Sequence, residues 1–339
     1  MDRTAGEKSP MTAPYPWQRE QAERLRRAWM AGRVPHAILL CGIAGLGKRD
    51  FARWLAALLL CESGDADSAP CGHCRGCLLL HGEAHPDLFR IGVEEGKRQL
   101  GIDAIRSLLE FTRLSSQYGG YRLALVHQAD HMTRSAANSL LKTLEEPPAG
   151  AVLVLLADQS ARLPPTVRSR CQQLRFAAPE IAVGTQWLQA AGAPEAAALL
   201  PACGQAPLAA QALHEKGAAE LRRSLMQQLL TLSRGKASVK SCADSWQAPD
   251  LPLLLDLLIV TVQQIQRQSA APGGDTLPSA LAELKLDPDA AYGYLDYLYQ
   301  TRALNDRALQ PRLLVEDLLL RWRGIAAPAG RSVSRAQES

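Results

Sequence analysis

The segment AILLCGIAGLGKRDFARWLAALLL, residues 37–60, decides the fold of the first half of the chain. A short apolar run enters a glycine-rich turn, and the residues after the turn place apolar side chains at helical spacing. This pattern predicts a buried strand, a loop and a helix whose inner face includes Phe51, Trp54 and Leu55. A strand that is apolar throughout is typical of a parallel sheet, since helices cover both faces of such sheets.

Strands and helices continue to alternate as far as Pro179. Helical spacing occurs at 102–114 and 135–146, and the second helix stops before Pro147 because proline cannot extend a helix. The other predicted strands are HPDLFRI at 85–91, YRLALVH at 121–127, AVLVLLA at 151–157 and CQQLRF at 171–176. The predicted fold class is therefore α/β, with a mostly parallel sheet covered by helices on both faces.

Beyond Pro179 the sequence shows helical patterns and no convincing strand. The change in pattern divides the chain into successive parts. We predict a first domain at 1–179 with an insertion at 61–85, a small helical domain at 180–215, an all-α domain at 216–325 and a disordered tail at 326–339.

The composition, with 47% hydrophobic and 21% charged residues, is that of an ordinary folded protein. There is no run of about 18 uncharged apolar residues and no signal-peptide pattern, so we expect a cytoplasmic protein without a membrane span. The net charge is +4, from 38 Lys and Arg against 34 Asp and Glu. This excess is too small to require nucleic acid, so any DNA contact must be a local patch or shared with partners.

Four of the eight cysteines lie close together in the sequence: Cys61, Cys71, Cys74 and Cys77. In a reducing compartment such a cluster indicates a metal site rather than disulfides. Four thiolates can surround one Zn²⁺ tetrahedrally and leave no open position, which is typical of a structural site. We therefore predict a structural zinc knuckle in the insertion at 61–85, and the alternative is a set of free thiols on a loop.

The loop at 42–49 has the strand–loop–helix context of a Walker A phosphate-binding loop. Its candidate phosphate-binding residues are Gly42, Gly45, Gly47 and Lys48. Glycines let backbone N–H groups turn toward a phosphate, and the lysine neutralises terminal phosphates. The next position normally holds Ser or Thr, whose hydroxyl binds Mg²⁺, but here it is Arg49.

A second part of a nucleotide-hydrolysing site is also missing. The strand at 121–127 should end in an Asp–Glu pair, in which the Asp holds the Mg²⁺ shell and the Glu polarises the attacking water. His127 and Gln128 occupy those positions, and glutamine cannot accept a proton at neutral pH. We expect no ATP hydrolysis by this chain, while weak nucleotide binding through Gly45, Gly47 and Lys48 stays open.

The segment SAANSLLKTLEEPPAGAVLVLLADQSARLPPTVRSRCQQLRF, residues 135–176, closely resembles the clamp-loader branch of AAA+ proteins. That branch combines a helix with the sequence NALLKTLEEPP, a buried strand and a Ser-Arg-Cys turn, which here is Ser169, Arg170 and Cys171. The resemblance implies a P-loop NTPase-like AAA+ domain, a small helical lid and an all-α collar for oligomerisation. The C-terminal helices match only as a collar of the right length.

The resemblance also implies that Arg170 acts in trans. In this family the arginine of the Ser-Arg-Cys turn projects into a neighbouring subunit's ATP site and stabilises charge on the transferring phosphate. A guanidinium suits that task because it is always protonated, planar and able to contact two oxygens. Arg170 is thus the candidate catalytic residue, with Ser169 and Cys171 beside it. Arg168 could share the role, and the alternative is a surface arginine capping a strand.

A zinc knuckle, a disabled ATP site and an intact Ser-Arg-Cys turn together resemble the delta-prime subunits of the DNA polymerase III clamp loader. Motor subunits of that branch sense nucleotide with an arginine where this chain has Leu208. The resemblance implies a non-catalytic stator in DNA replication, with motor (gamma/tau) and delta subunits as partners. Primed DNA would be bound through the assembled complex during ATP-dependent clamp loading, and the sliding clamp mostly indirectly.

Two other interpretations remain. The first is an active clamp-loader motor ATPase, which requires that Arg49, His127 and Gln128 are all tolerated. The second is a zinc-finger DNA-binding protein on an inert AAA+ scaffold. Against the second, the segment at 71–77 contains Arg75 but no aromatic residue, whereas proteins that bind single strands interleave both.

Overall fold

The computed structural model describes residues 13–63, 70–94, 96–97, 99–245, 251–270, 284, 286–304 and 311–326. The chain divides into two compact units, Met1–Gly184 with Ala206–Ala209, and Thr185–Gln205 with Ala210–Ser339. The finer division into domains stays a prediction, and the predicted tail lies outside the described residues except for Ala326. None of the described helices is both long enough and apolar enough to cross a membrane.

The first unit contains a five-stranded sheet in which every neighbouring pair of strands is parallel. Its strands are β1 (Ala37–Cys41), β2 (Leu88–Ile91), β3 (Arg122–Val126), β4 (Ala151–Ala157) and β5 (Gln172–Arg175), in the spatial order β2-β3-β4-β1-β5. Its helices are α1 (Arg19–Met30), α2 (Lys48–Leu59), α3 (Arg75–His81), α4 (Ile102–Thr112), α5 (Arg134–Glu145) and α6 (Pro165–Arg168). All five predicted strands are present.

Helices cover both faces of this sheet. On one face, Leu39 of β1 shares a core with Ile105 of α4 and Leu140 of α5. On the opposite face, Phe51 of α2 is fully buried and meets Phe176 edge to face, with ring centroids 4.9 Å apart. Strands buried on both sides need apolar residues at every position, which explains the continuous apolar runs. The predicted α/β fold class is confirmed.

The strand register brings three strand ends to the same edge of the sheet. Cys41 at the end of β1 pairs with Ala157 at the end of β4, and Val126 at the end of β3 pairs with Leu155. The segments that follow these strands therefore lie side by side. In parallel α/β sheets this carboxyl edge is where ligands bind.

The described residues of the second unit form helices joined by turns and contain no strand. Two helices, α7 (Ile181–Ala190) and α8 (Pro207–Glu215), contain residues of both units. The others are α9 (Ala218–Ser233), α10 (Val239–Ser245), α11 (Leu251–Ala270), α12 (Pro288–Leu304) and α13 (Pro311–Ile325), with a 3-10 segment at Pro194–Cys203. Trp322 of α13 is fully buried, and its indole N–H donates to the carbonyl of Leu229 in α9.

Asp87 and Arg122 form a buried ion pair beside β2 and β3, with 3.0 Å between Oδ1 and Nη2. The Asp87 carboxylate also accepts hydrogen bonds from the Ser116 hydroxyl (2.9 Å) and from the backbone N–H groups of Gln117 (3.0 Å) and Tyr118 (3.3 Å). Burial opposes the ionisation of Asp87, but these hydrogen bonds outweigh it and hold its pKa below the ordinary range. The pair therefore anchors the loop that precedes β3.

Asp87→Asn should lower the free energy of unfolding by about 3–5 kcal/mol at neutral pH, because it leaves the Arg122 charge buried without a carboxylate. In the unmodified chain, the contribution of Asp87 should be present near neutrality and lost as the pH falls through its depressed folded-state pKa. Urea unfolding at several pH values measures both effects. The control is Asp103→Asn, since the Asp103 side chain is 92% exposed. An equal loss in the control, or a loss independent of pH, would contradict the assignment.

Candidate functional site

The loop at 42–49 packs closely against other segments of the first unit. Gly45 and Gly47 both have φ of 80°, which glycine adopts without strain. A Cβ atom on Gly47 would lie 2.4 Å from the Tyr15 ring, and one on Gly45 would lie 2.4 Å from the Cβ of Ala209. Both glycines are therefore required by close packing as well as by backbone conformation.

Lys48 begins α2 and is only 6% exposed. Its ammonium group donates to the carbonyl oxygens of Gly42 at 2.6 Å and Ile43 at 2.7 Å. A third contact of 2.6 Å joins it to Oδ1 of Asp158, the first residue after β4. Because an ammonium has three donor hydrogens, the chain's own oxygen atoms can use all of them.

Asp130 fixes the position of Asp158. Its Oδ2 accepts hydrogen bonds from the backbone N–H groups of Asp158 at 3.1 Å and Gln159 at 2.8 Å. Asp130 is itself buried, in the 3-10 turn Ala129–His131 that follows β3. The turn after β3 therefore orients the turn after β4, so that the Asp158 carboxylate reaches the loop after β1.

His127 and Gln128 line the same pocket as Arg49. Burial, followed by the positive charges of Arg49, Arg53 and Arg90, lowers the pKa of His127 to about 4. The imidazole is therefore neutral at physiological pH. Gln128 has a left-handed backbone with φ of 53°, so the chain turns sharply where the acidic pair of a hydrolysing site would stand.

The pocket has a volume of 410 Å³, but its residues do not fit a magnesium-bound triphosphate. Mg²⁺ requires oxygen ligands in near-octahedral geometry. At the two positions expected to supply them, the chain places the cationic Arg49 and the neutral His127. The ammonium of Lys48, which would neutralise phosphate, already contacts Asp158.

The structure brings the four predicted zinc ligands together. The sulfur atoms of Cys61, Cys71, Cys74 and Cys77 all lie within 4.8 Å of one another, and those of Cys61 and Cys74 are 3.9 Å apart. A tetrahedron with Zn–S bonds of about 2.3 Å has edges of ~3.8 Å. The four sulfurs are therefore close enough to hold one metal ion such as Zn²⁺, while its structural role stays a prediction.

Backbone N–H groups point at these sulfurs. Those of Cys71, Cys74 and Cys77 donate to the sulfurs of Cys61, Cys71 and Cys74 at 3.5, 3.4 and 3.4 Å. Backbone hydrogen bonds, first of all from His73, lower the pKa of Cys71 to about 6. Burial has the opposite effect on Cys77 and raises its pKa. A bound dication would stabilise the thiolate that burial disfavours.

The cysteine cluster is attached to the sheet domain through α3, a short helix that the sequence pattern did not predict. A Cβ on Gly76 would lie 2.3 Å from the carbonyl oxygen of Leu60, so α3 lies directly against the end of α2. The guanidinium of Arg75 lies 4.7 Å from the centre of the Tyr118 ring. These contacts fix the position of the knuckle on the first unit.

The Ser-Arg-Cys turn connects α6 to β5. Cys171 is buried, whereas the Arg170 side chain is 36% exposed. Nε and Nη2 of Arg170 contact Oε1 of Glu145 at 2.9 and 2.6 Å, and Nη1 donates to the Thr166 carbonyl at 3.0 Å. The Ser169 hydroxyl donates to the same carbonyl at 3.2 Å. The guanidinium is therefore held in a defined orientation at the surface.

Three acidic residues at these sites, Asp130, Glu145 and Asp158, were not identified from the sequence. Asp158 directly follows an apolar strand, so its place at the carboxyl edge could have been predicted, although its pairing with Lys48 could not. Arg168 differs from Arg170, because its Nε is buried and has no hydrogen-bond partner among the described residues.

Comparison with known proteins decides the family. A family model described as "DNA polymerase III, delta subunit" matches residues 17–180. The chain is 35% identical to DNA polymerase III subunit delta' of Pseudomonas aeruginosa over 329 residues, which cover 93% of this chain and 98% of that protein. The chain belongs to the DNA polymerase III delta-prime family. The family inferred from the Ser-Arg-Cys segment and the zinc knuckle is thereby confirmed.

Two further relatives separate delta-prime from its paralogues. The delta' subunit of Escherichia coli K12 is 33% identical over 316 residues, which cover 91% of this chain and 94% of that protein. DNA polymerase III subunit tau of Salmonella typhimurium is 34% identical over only 150 residues, which cover 44% of this chain and 23% of that protein. The likeness to delta-prime proteins thus extends over both units, whereas the likeness to tau covers less than half the chain.

We expect the purified delta-prime family member to contain about one zinc ion per chain. Cys74→Ser should release the metal, because it removes one of four ligands and the sulfur that accepts from the Cys77 N–H at the start of α3. Inductively coupled plasma mass spectrometry measures the zinc content, and thermal unfolding reports the accompanying loss of stability. Cys203→Ser, outside the cluster, is the matched control. Metal-free native protein with four titratable thiols in this segment would refute the site.

Proposed function

We propose that this chain is the non-catalytic stator of a DNA polymerase III clamp loader, and that Arg170 completes the ATP site of the adjacent motor subunit. The observation that supports this most directly is a contrast within the first unit. The chain's own pocket has Arg49 and His127 at the two positions where a hydrolysing site holds Mg²⁺, whereas Arg170 is oriented and partly exposed at the surface.

The chain's own pocket is unsuited to hydrolysis for three independent reasons. Arg49 takes the place of the Mg²⁺-binding hydroxyl. His127 is a neutral imidazole surrounded by arginines, and Gln128 has no basicity with which to activate water. An active motor ATPase, the alternative within the same assembly, would have to hydrolyse ATP without these groups.

Arg170 has the chemistry and the exposure that action in trans requires. Its planar, permanently charged guanidinium can contact two phosphate oxygens of a transferring group. Glu145 now holds the same nitrogen atoms that would make those contacts. Because the Glu145 side chain is 52% exposed, this ion pair is weak enough to be exchanged for phosphate when a neighbour docks.

The proposed partners are the motor subunits, of the tau type, and the delta subunit of the same assembly. The local likeness to tau supports a shared ancestry for the stator and the motor. In the proposed collar, α13 buries Leu314 and Leu318 but leaves Leu313 and Leu320 exposed. Exposed leucines on a helix that already has a buried face are available to neighbouring subunits.

The proposed role involves DNA only through the assembled complex, in ATP-dependent loading of the sliding clamp onto primed DNA. A DNA-binding zinc finger is disfavoured, because Arg75 of the knuckle lies over the Tyr118 ring of its own chain. We assign the zinc a structural role and place the protein in the cytoplasm, where replication takes place.

Arg170→Ala should leave the complex with motor and delta subunits assembled but lower its DNA- and clamp-stimulated ATP turnover by about tenfold or more, since one arginine finger contributes 10³–10⁵ at a single site. Arg170→Lys should restore little, because lysine lacks the planar fork. Size-exclusion chromatography measures assembly, and phosphate release measures turnover.

The matched control is Arg162→Ala, which removes another exposed arginine from the same unit. Its complex should keep full turnover. Normal clamp loading by the Arg170→Ala complex would rule out the trans role, and steady ATP hydrolysis by the isolated chain would favour the motor alternative.

A further inference from the structure

The pocket at the carboxyl edge retains the positive charge of a phosphate site although it has lost the magnesium ligands. Lys48, Arg49 and Arg53 all line it, and Gly45 and Gly47 provide the glycine turns beside them. Such a set is more than a structural turn requires. Positive charge and a turned backbone suit phosphate oxygens in general rather than a particular base.

Two carboxylates also line this pocket, and they are engaged differently. Asp50 accepts a hydrogen bond from the Tyr15 hydroxyl at 2.7 Å and lies 3.7 Å from Arg53. Asp158 instead reaches across from the turn after β4 and contacts the ammonium of Lys48 at 2.6 Å. Of the two, only Asp158 stands against the group that would neutralise a bound phosphate.

We propose that this pocket is a latent polyphosphate site, which Asp158 closes by placing its carboxylate where a phosphate oxygen would contact Lys48. The Lys48 side chain is almost completely buried, and the contacts with Gly42, Ile43 and Asp158 use the three donors of its ammonium group. An incoming anion must therefore displace a charged partner that is already present at hydrogen-bond distance.

The Asp158 carboxylate can block access to Lys48 because its backbone is held in place while its side chain remains accessible to solvent. Asp130 holds the backbone N–H groups of Asp158 and Gln159, so the turn cannot easily withdraw. The Asp158 side chain is nevertheless 50% exposed, which places its carboxylate at the boundary of the pocket rather than in the core. Removing its charge should uncover the lysine without disturbing the sheet.

The ligand class follows from the neighbouring residues. Arg49 and the neutral His127 disfavour a divalent cation, so the uncovered site should take a polyphosphate without Mg²⁺. In this respect the site differs from a working ATPase pocket, in which the metal accompanies the nucleotide. The inference concerns only this pocket and does not depend on the role of Arg170.

The test is calorimetric titration of sodium tripolyphosphate into the full chain and into its Asp158→Asn variant, in a buffer containing a chelator of divalent ions. Asp158→Asn should bind at least about tenfold more tightly, equivalent to about 1.4 kcal/mol. Adding Lys48→Ala to that variant should abolish the gain. A parallel titration with ATP, with and without Mg²⁺, distinguishes a nucleotide from an inorganic polyphosphate, and we expect Mg²⁺ to weaken binding.

Asp50→Asn is the matched control, because it removes the same charge from the same pocket without touching Lys48. An equal gain in that control would overturn the proposal, since the effect would then be one of net charge. Equal affinities for the unmodified chain and Asp158→Asn, or no measurable binding by either, would also overturn it. Asp158→Ser provides a second variant that removes the same charge. Loss of cooperative unfolding in both variants would overturn the proposal, because Asp158 would then be required for folding rather than for blocking Lys48.

Discussion

Segments that follow different strands of the sheet meet at the ammonium group of Lys48, at the carboxyl edge. Parallel pairing places the ends of β1, β3 and β4 side by side, so that the segments after all three strands take part in holding this group. The loop after β1 supplies two carbonyls, the turn after β4 supplies Asp158, and the turn after β3 supplies Asp130, which holds Asp158 in place. These contacts use the three donor hydrogens of the Lys48 ammonium.

The remaining functional groups lie outside that pocket and have separate physical roles. The four cysteine sulfurs lie close enough to share one metal ion, which would tie together segments that are up to 16 residues apart in the sequence. The Ser-Arg-Cys turn buries its cysteine and exposes its arginine, so that packing orients a charged group toward solvent. The first unit therefore holds both a pocket with Arg49 and His127 at the expected Mg²⁺ positions and a partly exposed arginine that pairs with Glu145.

Much of this architecture could be predicted from the sequence, because strand and helix periods and cysteine spacing are local signals. The β1–loop–α2 unit, all five strands and the clustering of the four cysteines were predicted in this way. The Lys48–Asp158 and Arg170–Glu145 contacts were not, since each joins residues from different elements and depends on register and side-chain direction. The short helix α3 was not predicted either, because its seven residues are too few to show the apolar period that reveals longer helices.

We propose that this chain does not hydrolyse ATP and that its Arg170 acts in the ATP site of the adjacent motor subunit. The most direct test is a structure of the assembled clamp loader, with motor and delta subunits, bound to ATP-site transition-state mimics such as aluminium fluoride with ADP. We expect Arg170 to leave Glu145 and to lie within about 3 Å of the phosphoryl mimic in the adjacent motor subunit. An Arg170 that stays on Glu145, away from the neighbouring nucleotide, would contradict it.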